Sequence, residues 1–165
     1  LRVGSEATVR TALIVREDRP DPIRRLASIL SADADATVIG KRLRLSTQEA
    51  LRLEVMLAAD PVIDVAGGAK AWREQIYALG GNLYADRLLL ATEAPGDWRA
   101  ALAMARGWTP PELPVSGGDA LKLGLKPGPK VGALIEAVER WWIEGDFAAD
   151  RAACLVELEK RVRAS

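Results

Sequence analysis

Leu113-Pro-Val-Ser-Gly-Gly-Asp-Ala-Leu-Lys-Leu-Gly-Leu-Lys-Pro-Gly-Pro-Lys-Val-Gly-Ala-Leu-Ile-Glu-Ala-Val-Glu-Arg-Trp-Trp142 is the most informative stretch of the chain. It predicts two helices, Gly118–Leu123 and Pro129–Ile143, joined by the hairpin Gly124-Leu-Lys-Pro-Gly-Pro129. Pro129 occupies the one helical position where a missing N–H costs nothing, the first turn. Along the second helix Val131, Leu134, Ile135, Val138 and Trp142 form one apolar stripe, which puts Trp142 in a core and Trp141 at its edge. Gly124, Gly128 and Gly132 are spaced by four, but Pro127 and Pro129 put the middle glycine in a turn and exclude a glycine-paired membrane helix. Lys126 and Lys130 flank the hairpin, so positive charge and the N–H groups of a helix start converge on one spot, as a phosphate requires. Alternatively the glycines and prolines only let two helices pack, with Gly132 allowing close backbone approach. The residues alone leave both readings open.

Outward from this stretch the pattern remains helical. Downstream, a break at Gly145 precedes a last helix near Asp150–Arg163. Upstream, Thr109-Pro-Pro-Glu-Leu-Pro114 is too rich in proline for a helix and reads as a stiff connector over 109–114. It separates a helical body, 1–108, from a smaller tail, 115–165. Within the body, Asp21-Pro22 starts a helix whose apolar face is Ile23, Leu26, Ala27, Ile29 and Leu30. A helix over Ala34–Arg44 follows, with Val38, Ile39 and Leu43 expected inward. Ser46-Thr-Gln-Glu49 has the capping-box form and opens a helix through Ala59, ahead of Pro61. Ala66–Leu79 and Leu83–Glu93 read as a pair broken at Gly80-Gly81-Asn82, and Pro95-Gly-Asp-Trp98 starts a helix to about Arg106. Ser5–Val15 is a further helical segment. The fold class expected is all-α, with a helix-hairpin-helix-like tail.

Composition narrows the function. The 165 residues are 49% hydrophobic and 28% charged, with 23 basic and 23 acidic side chains, so a polyanion must be met by local patches and not by bulk charge. No apolar run approaches the roughly 20 residues that cross a bilayer, so no membrane partner is expected. The single Cys154 fits a reducing, cytoplasmic setting and lies at helical spacing with Leu155, Leu158 and Val162, as a core residue would. The chain begins at Leu1 without Met, which reads as part of a longer protein.

Histidine is absent, which removes Ser–His and Cys–His nucleophiles and most zinc sites. Asp33-Ala-Asp35 superficially matches a two-carboxylate magnesium pair, but lies between helices and not on a strand, so these acids and Glu17-Asp18 read as caps and solvated charges. Trp72, Trp98 and Trp108, like Trp141, read as packing residues and not as stacking platforms. Three basic patches stand out: Lys41, Arg42 and Arg44 with Arg52; Arg2, Arg10, Arg16 and Arg19; and Arg24-Arg25. Each reads first as a solvated face.

The segments Ser116-Gly-Gly-Asp119, Leu123-Gly124, Pro127-Gly-Pro129 and Val131-Gly132 resemble the C-terminal signature of bacterial CCA-adding tRNA nucleotidyltransferases of the poly(A) polymerase family. Trp141-Trp-Ile-Glu-Gly-Asp-Phe147 resembles the alphaproteobacterial form of that tail, and Asp21-Pro-Ile-Arg-Arg-Leu-Ala27 and Arg42-Leu-Arg-Leu-Ser46 resemble helix starts of the family's body. The resemblance implies the RNA-holding half of such an enzyme, gripping the acceptor and T arms of tRNA by shape and backbone. A catalytic head on the same polypeptide would supply the Mg²⁺ site and the CTP/ATP chemistry. No catalytic or metal residue is therefore assigned here, and the chain alone is expected to be inactive. The resemblance makes Gly124, Lys126, Gly128, Lys130 and Gly132 the leading RNA contacts; charge alone adds Arg42 and Arg44. The alternatives are an RNA-binding piece of a bacterial poly(A) polymerase and a helical protein-interaction or dimerisation module.

Overall fold

The computed structural model describes residues 20–31, 34–58, 62–90 and 96–164, and these form helices and no strand. The fold is all-α. The chain divides into two compact units, one ending at Trp108 and the other beginning at Thr109. The expected helix over Ser5–Val15, the arginines at 2, 10, 16 and 19, and the acids Glu17, Asp18 and Asp33 lie outside the described residues.

Among the described residues six helices build the first unit: α1 (Pro22–Ile29), α2 (Ala36–Leu43), α3 (Thr47–Leu57), α4 (Gly68–Leu79), α5 (Gly81–Leu90) and α6 (Trp98–Gly107). Local chemistry fixes most of their starts. The carboxylates of Asp21, Asp35 and Asp97 accept the N–H of Arg24, Val38 and Ala100 at 2.9, 2.9 and 3.1 Å, each satisfying a donor that the helix leaves over. Ser46 and Glu49 close a capping box at α3: the Glu49 carboxylate accepts from the Ser46 N–H at 2.8 Å, and the Ser46 hydroxyl accepts from the Glu49 N–H at 3.3 Å. Asp35 is thus a cap, as its sequence setting implied.

The α5 helix is the centre of this unit and packs against α1, α3, α4 and α6. Its residues from Tyr84 to Leu90 are all buried, so that stretch has no solvent side to carry polar groups. The break predicted at Gly80-Gly81-Asn82 shrinks to Gly80, which takes φ +78°, while Gly81 already belongs to α5. A Cβ on Gly81 would stand 2.2 Å from the Ala105 carbonyl oxygen, so only glycine lets the start of α5 meet the end of α6 this closely. Trp72 is buried and donates its indole N–H to the Val65 carbonyl at 3.0 Å; Trp98 and Trp108 pack half-buried against the same core.

Two charged residues inside α5 were not anticipated. Asp86, 1% exposed, receives Arg24 Nε at 2.8 Å from α1, and Arg52 Nε and Nη2 at 2.6 and 2.8 Å from α3. Arg52 also reaches Asp21 at 2.8 Å. One buried carboxylate thus fastens three helices through charge-assisted bonds, and Asp86 and the Asp21 cap hold Arg52 firmly protonated against the opposing effect of burial. Burial pushes the Asp21 carboxyl up, but the Arg24 N–H and the Arg52 guanidinium outweigh it and bring the group below the usual carboxylate range. The next residue, Arg87, donates to the Val55 and Ala58 carbonyls at 3.1 and 3.0 Å and so caps the C-terminal end of α3 with a cation.

One expectation about α2 fails. Val38 and Leu43 are 50% and 54% exposed, while Ala36 and Gly40 are buried. A Cβ on Gly40 would come within 3.2 Å of the Ala50 Cβ, so α2 approaches α3 through its smallest residue. That turns Val38 to the far side of α2, and Leu43 ends the helix where the chain leaves through Arg44 at φ +56°.

The second unit contains α7 (Gly117–Lys122), α8 (Pro129–Glu144) and α9 (Arg151–Arg163). Leu134, Val138 and Trp142 of the predicted stripe are buried, together with Val115, Ala120, Cys154 and Leu158. Trp142 donates to the Ala149 carbonyl at 3.0 Å and meets Phe147 edge to face at 5.0 Å. Cys154 is fully buried, and burial with the nearby Asp150 charge pushes its thiol up, so it is a packing residue as its spacing predicted.

Candidate nucleic-acid interface

The hairpin between α7 and α8 is defined by its own backbone. At the end of α7 the Gly124 N–H bonds to the Leu121 carbonyl at 3.0 Å and the Leu125 N–H to the Ala120 carbonyl at 3.4 Å. This is a Schellman closure, and it needs the left-handed residue that Gly124 supplies at φ +93°. Gly128 then leads into Pro129, the first residue of α8, and no side chain caps that helix start. Gly124, Lys126, Gly128, Lys130 and Gly132 are all exposed, so the hairpin and the first turn of α8 present two lysines and bare backbone on one segment. Gly132 does not serve close packing among the described residues, since a Cβ there would meet none of them within 4 Å.

Asp119 holds this hairpin from behind. Its carboxylate, 6% exposed, accepts the Ser116 N–H at 3.0 Å and the Ser116 hydroxyl at 3.2 Å, which caps α7. It also receives Arg151 Nη2 from the start of α9 at 2.7 Å, and Arg151 Nη1 donates to the Pro114 carbonyl at the end of the connector. Lys122 stands 3.7 Å away on the outer side. The Arg151 guanidinium, followed by the Ser116 N–H, holds the Asp119 carboxyl down at about 2 against a smaller effect of burial. The folded value lies below the 3.8 of an ordinary Asp, so the stabilisation is complete above that value and disappears as pH falls towards 2. The stability advantage of the wild type over Asp119→Asn should therefore close between about pH 4 and about pH 2, measured by urea unfolding at fixed pH values. A constant gap would show that the ionised carboxylate adds nothing.

The basic patches sort differently from their sequence reading. Lys41, Arg42 and Arg44 are exposed at the C-terminal end of α2. Lys41 and Arg44 border a shallow cleft of about 320 Å³ with Thr37, Thr47 and Glu54. Arg52 does not join them; it turns inward to Asp86 and Asp21. Nor is Arg24-Arg25 a patch, because Arg24 is buried against Asp86 and only Arg25 faces solvent. Arg42 and Arg44 belong to the first unit and the hairpin lysines to the second. Among the described residues no group of three or more Cys, Asp or Glu side chains converges as a metal ion would require, and no helix is long and apolar enough to cross a membrane.

The residues the sequence reading passed over are Asp86 and Arg151. Asp86 carried a legible signal, a charged pair inside the apolar run Leu83–Leu90, which demands buried partners. Arg151 carried none, since it opens a helix and lies 32 residues from the acid it binds.

No family model matches the chain. It is 24% identical over 145 residues to the human mitochondrial CCA tRNA nucleotidyltransferase 1, a match covering 86% of this chain and 33% of that protein. It is 28% identical over 97 residues to the CCA-adding enzyme of Limosilactobacillus fermentum, covering 56% of this chain and 24% of the enzyme. It is also 38% identical over 81 residues to an uncharacterized 28 kDa protein of Rhodospirillum rubrum, 42% of this chain and 31% of that protein. The chain thus spans between about a quarter and a third of the curated relatives it matches, and over most of its own length it is distantly similar to CCA tRNA nucleotidyltransferases.

Proposed function

We propose that this chain is the tRNA-holding part of a CCA-adding type of nucleotidyltransferase, acting in 3′-end maturation of tRNA. The similarity to CCA tRNA nucleotidyltransferase 1 along 86% of the chain carries the reading. The hairpin gives it chemistry. Lys126 and Lys130 neutralise phosphates, and the exposed backbone of Gly124, Gly128 and Gly132 lets a sugar–phosphate strand come close without a side chain in between. Arg42 and Arg44 form a second contact. Such a grip reads shape and charge and not base sequence, as a protein that handles every tRNA requires. A catalytic head on the same polypeptide would hold Mg²⁺ and the CTP or ATP; this part holds and orients the acceptor and T arms.

The test is binding of a tRNA transcript to the 165-residue chain as a function of salt. Binding should be evident near 50 mM salt and weaken by roughly tenfold or more by about 200 mM, with tRNA outcompeting oligo(A). Absence of binding at low salt, or affinity indifferent to salt, would remove the proposal.

A further inference from the structure

We propose that Asp119 and Arg151 are positioning residues for RNA: they fix α7, and through it the hairpin, in the place where the lysines meet the backbone. The inference rests on the tRNA-holding reading above.

The argument starts from the weakness of α7. Six residues make fewer than two turns, far below the length at which a helix holds itself in water. Its position must come from outside: Ala120 is buried against the rest of the unit, and specific polar bonds fix the start of the helix. Asp119 ties its start to Ser116, and Arg151 ties Asp119 to the first turn of α9. The same guanidinium holds the Pro114 carbonyl, so connector, α7 and α9 meet at one ion pair. Gly117 fits against Val131 of α8, where an added Cβ would come within 3.3 Å of Val131 Cγ1.

The hairpin then hangs from α7. Leu123 N–H bonds to the carbonyls of Asp119 and Ala120, Gly124 N–H to Leu121, and Leu125 N–H to Ala120. Three of these four bonds thus end on Asp119 or its immediate neighbour. Any tilt of α7 about its clamped end is therefore passed directly to Lys126. Arg151 holds Asp119 Oδ1 at 2.7 Å, whereas Lys122, 80% exposed, stands 3.7 Å from the same oxygen and makes no second bond to the connector. The pair acts on the RNA through the hairpin and not by touching it.

Charge makes the proposal testable by sign. Asp119→Asn removes a negative charge from the segment that carries Lys122, Lys126 and Lys130, so simple electrostatics predicts tighter tRNA binding. Positioning predicts weaker binding, because the neutral amide no longer holds Arg151 by an ion pair. The experiment measures tRNA affinity against salt for the full chain, for Lys126→Glu with Lys130→Glu, for Asp119→Asn, and for all three substitutions together, with near-UV circular dichroism reporting tryptophan packing. Asp119→Asn should bind roughly three- to tenfold more weakly with a shallower salt slope, and should cost nothing further when the lysines are already reversed. If Asp119→Asn binds as tightly as wild type or more so while the lysine reversal weakens binding, the positioning role is overturned and the tRNA reading stands. If the lysine reversal has no effect, the hairpin is not the contact and the positioning role is overturned with it, while the tRNA reading stands or falls on wild-type binding. Should Asp119→Asn lose its near-UV signal, Arg151→Lys decides: it keeps the charge but not the forked bonds to Asp119 and Pro114, and unaltered binding would overturn the inference.

Discussion

Replacing Asp86 by alanine should destabilise the first unit by about 3–5 kcal/mol, the cost of removing one partner of a buried ion pair. Asp86 is the shared carboxylate of Arg24 and Arg52, at 2.7 and 2.6 Å, and the Arg24 side chain is only 9% exposed. Alanine leaves that guanidinium charged in a place from which water is largely excluded. A domain commonly has about 5–15 kcal/mol in total, so the loss should lower the melting temperature by more than about 10 °C. The companion substitution Arg52→Ala should cost less, because Arg52 is one-third exposed and Asp86 keeps Arg24. Replacing Arg24 and Asp86 together by apolar residues of similar volume should recover much of the stability, since the buried Arg24 charge then goes with its partner and Arg52 keeps Asp21. A melting temperature for Asp86→Ala within about 2 °C of wild type would show that the network contributes nothing net.

This network also marks where sequence reading stops. Helix starts were legible because their determinants are local: Asp21, Asp35, Ser46, Asp97 and Asp150 each bond to an N–H three residues on. The stripe ending at Trp142 was legible for the same reason, as helical spacing alone puts those residues on one face. Arg24 and Arg52 were misread because a basic residue in sequence carries no mark of the acid it will meet 62 or 34 residues away. Val38 and Leu43 were misread because the small residues Gly40 and Ala50, and not the larger apolar ones, decided which side of α2 meets α3. In the hairpin the Schellman turn follows from Gly124 and the prolines, and the reading of its chemistry drew on family resemblance, which propensity cannot supply. The clamp behind it depends on Arg151, whose bond to Asp119 only the folded chain reveals.

Reversing both hairpin lysines, Lys126→Glu with Lys130→Glu, should lower tRNA affinity by roughly 10- to 100-fold at low salt, the difference narrowing as salt rises. The substitution changes the local charge by about four units, and each phosphate left without its lysine should flatten the logarithmic salt dependence by roughly 0.7 to 0.9, so about 1.5 in all. Folding should change little. Both side chains are exposed, and the turn is set by Gly124, Pro127 and Pro129 and by bonds from backbone to backbone. Glutamate at 130 falls in the first turn of α8, where a negative charge meets the positive end of the helix and contributes about 0.3–1 kcal/mol. The variant should therefore keep its helical content and melt near the wild-type temperature while binding RNA poorly, a combination that damage to the fold does not produce. Wild-type affinity and salt slope in the double variant would reduce the hairpin to a device for packing α7 against α8.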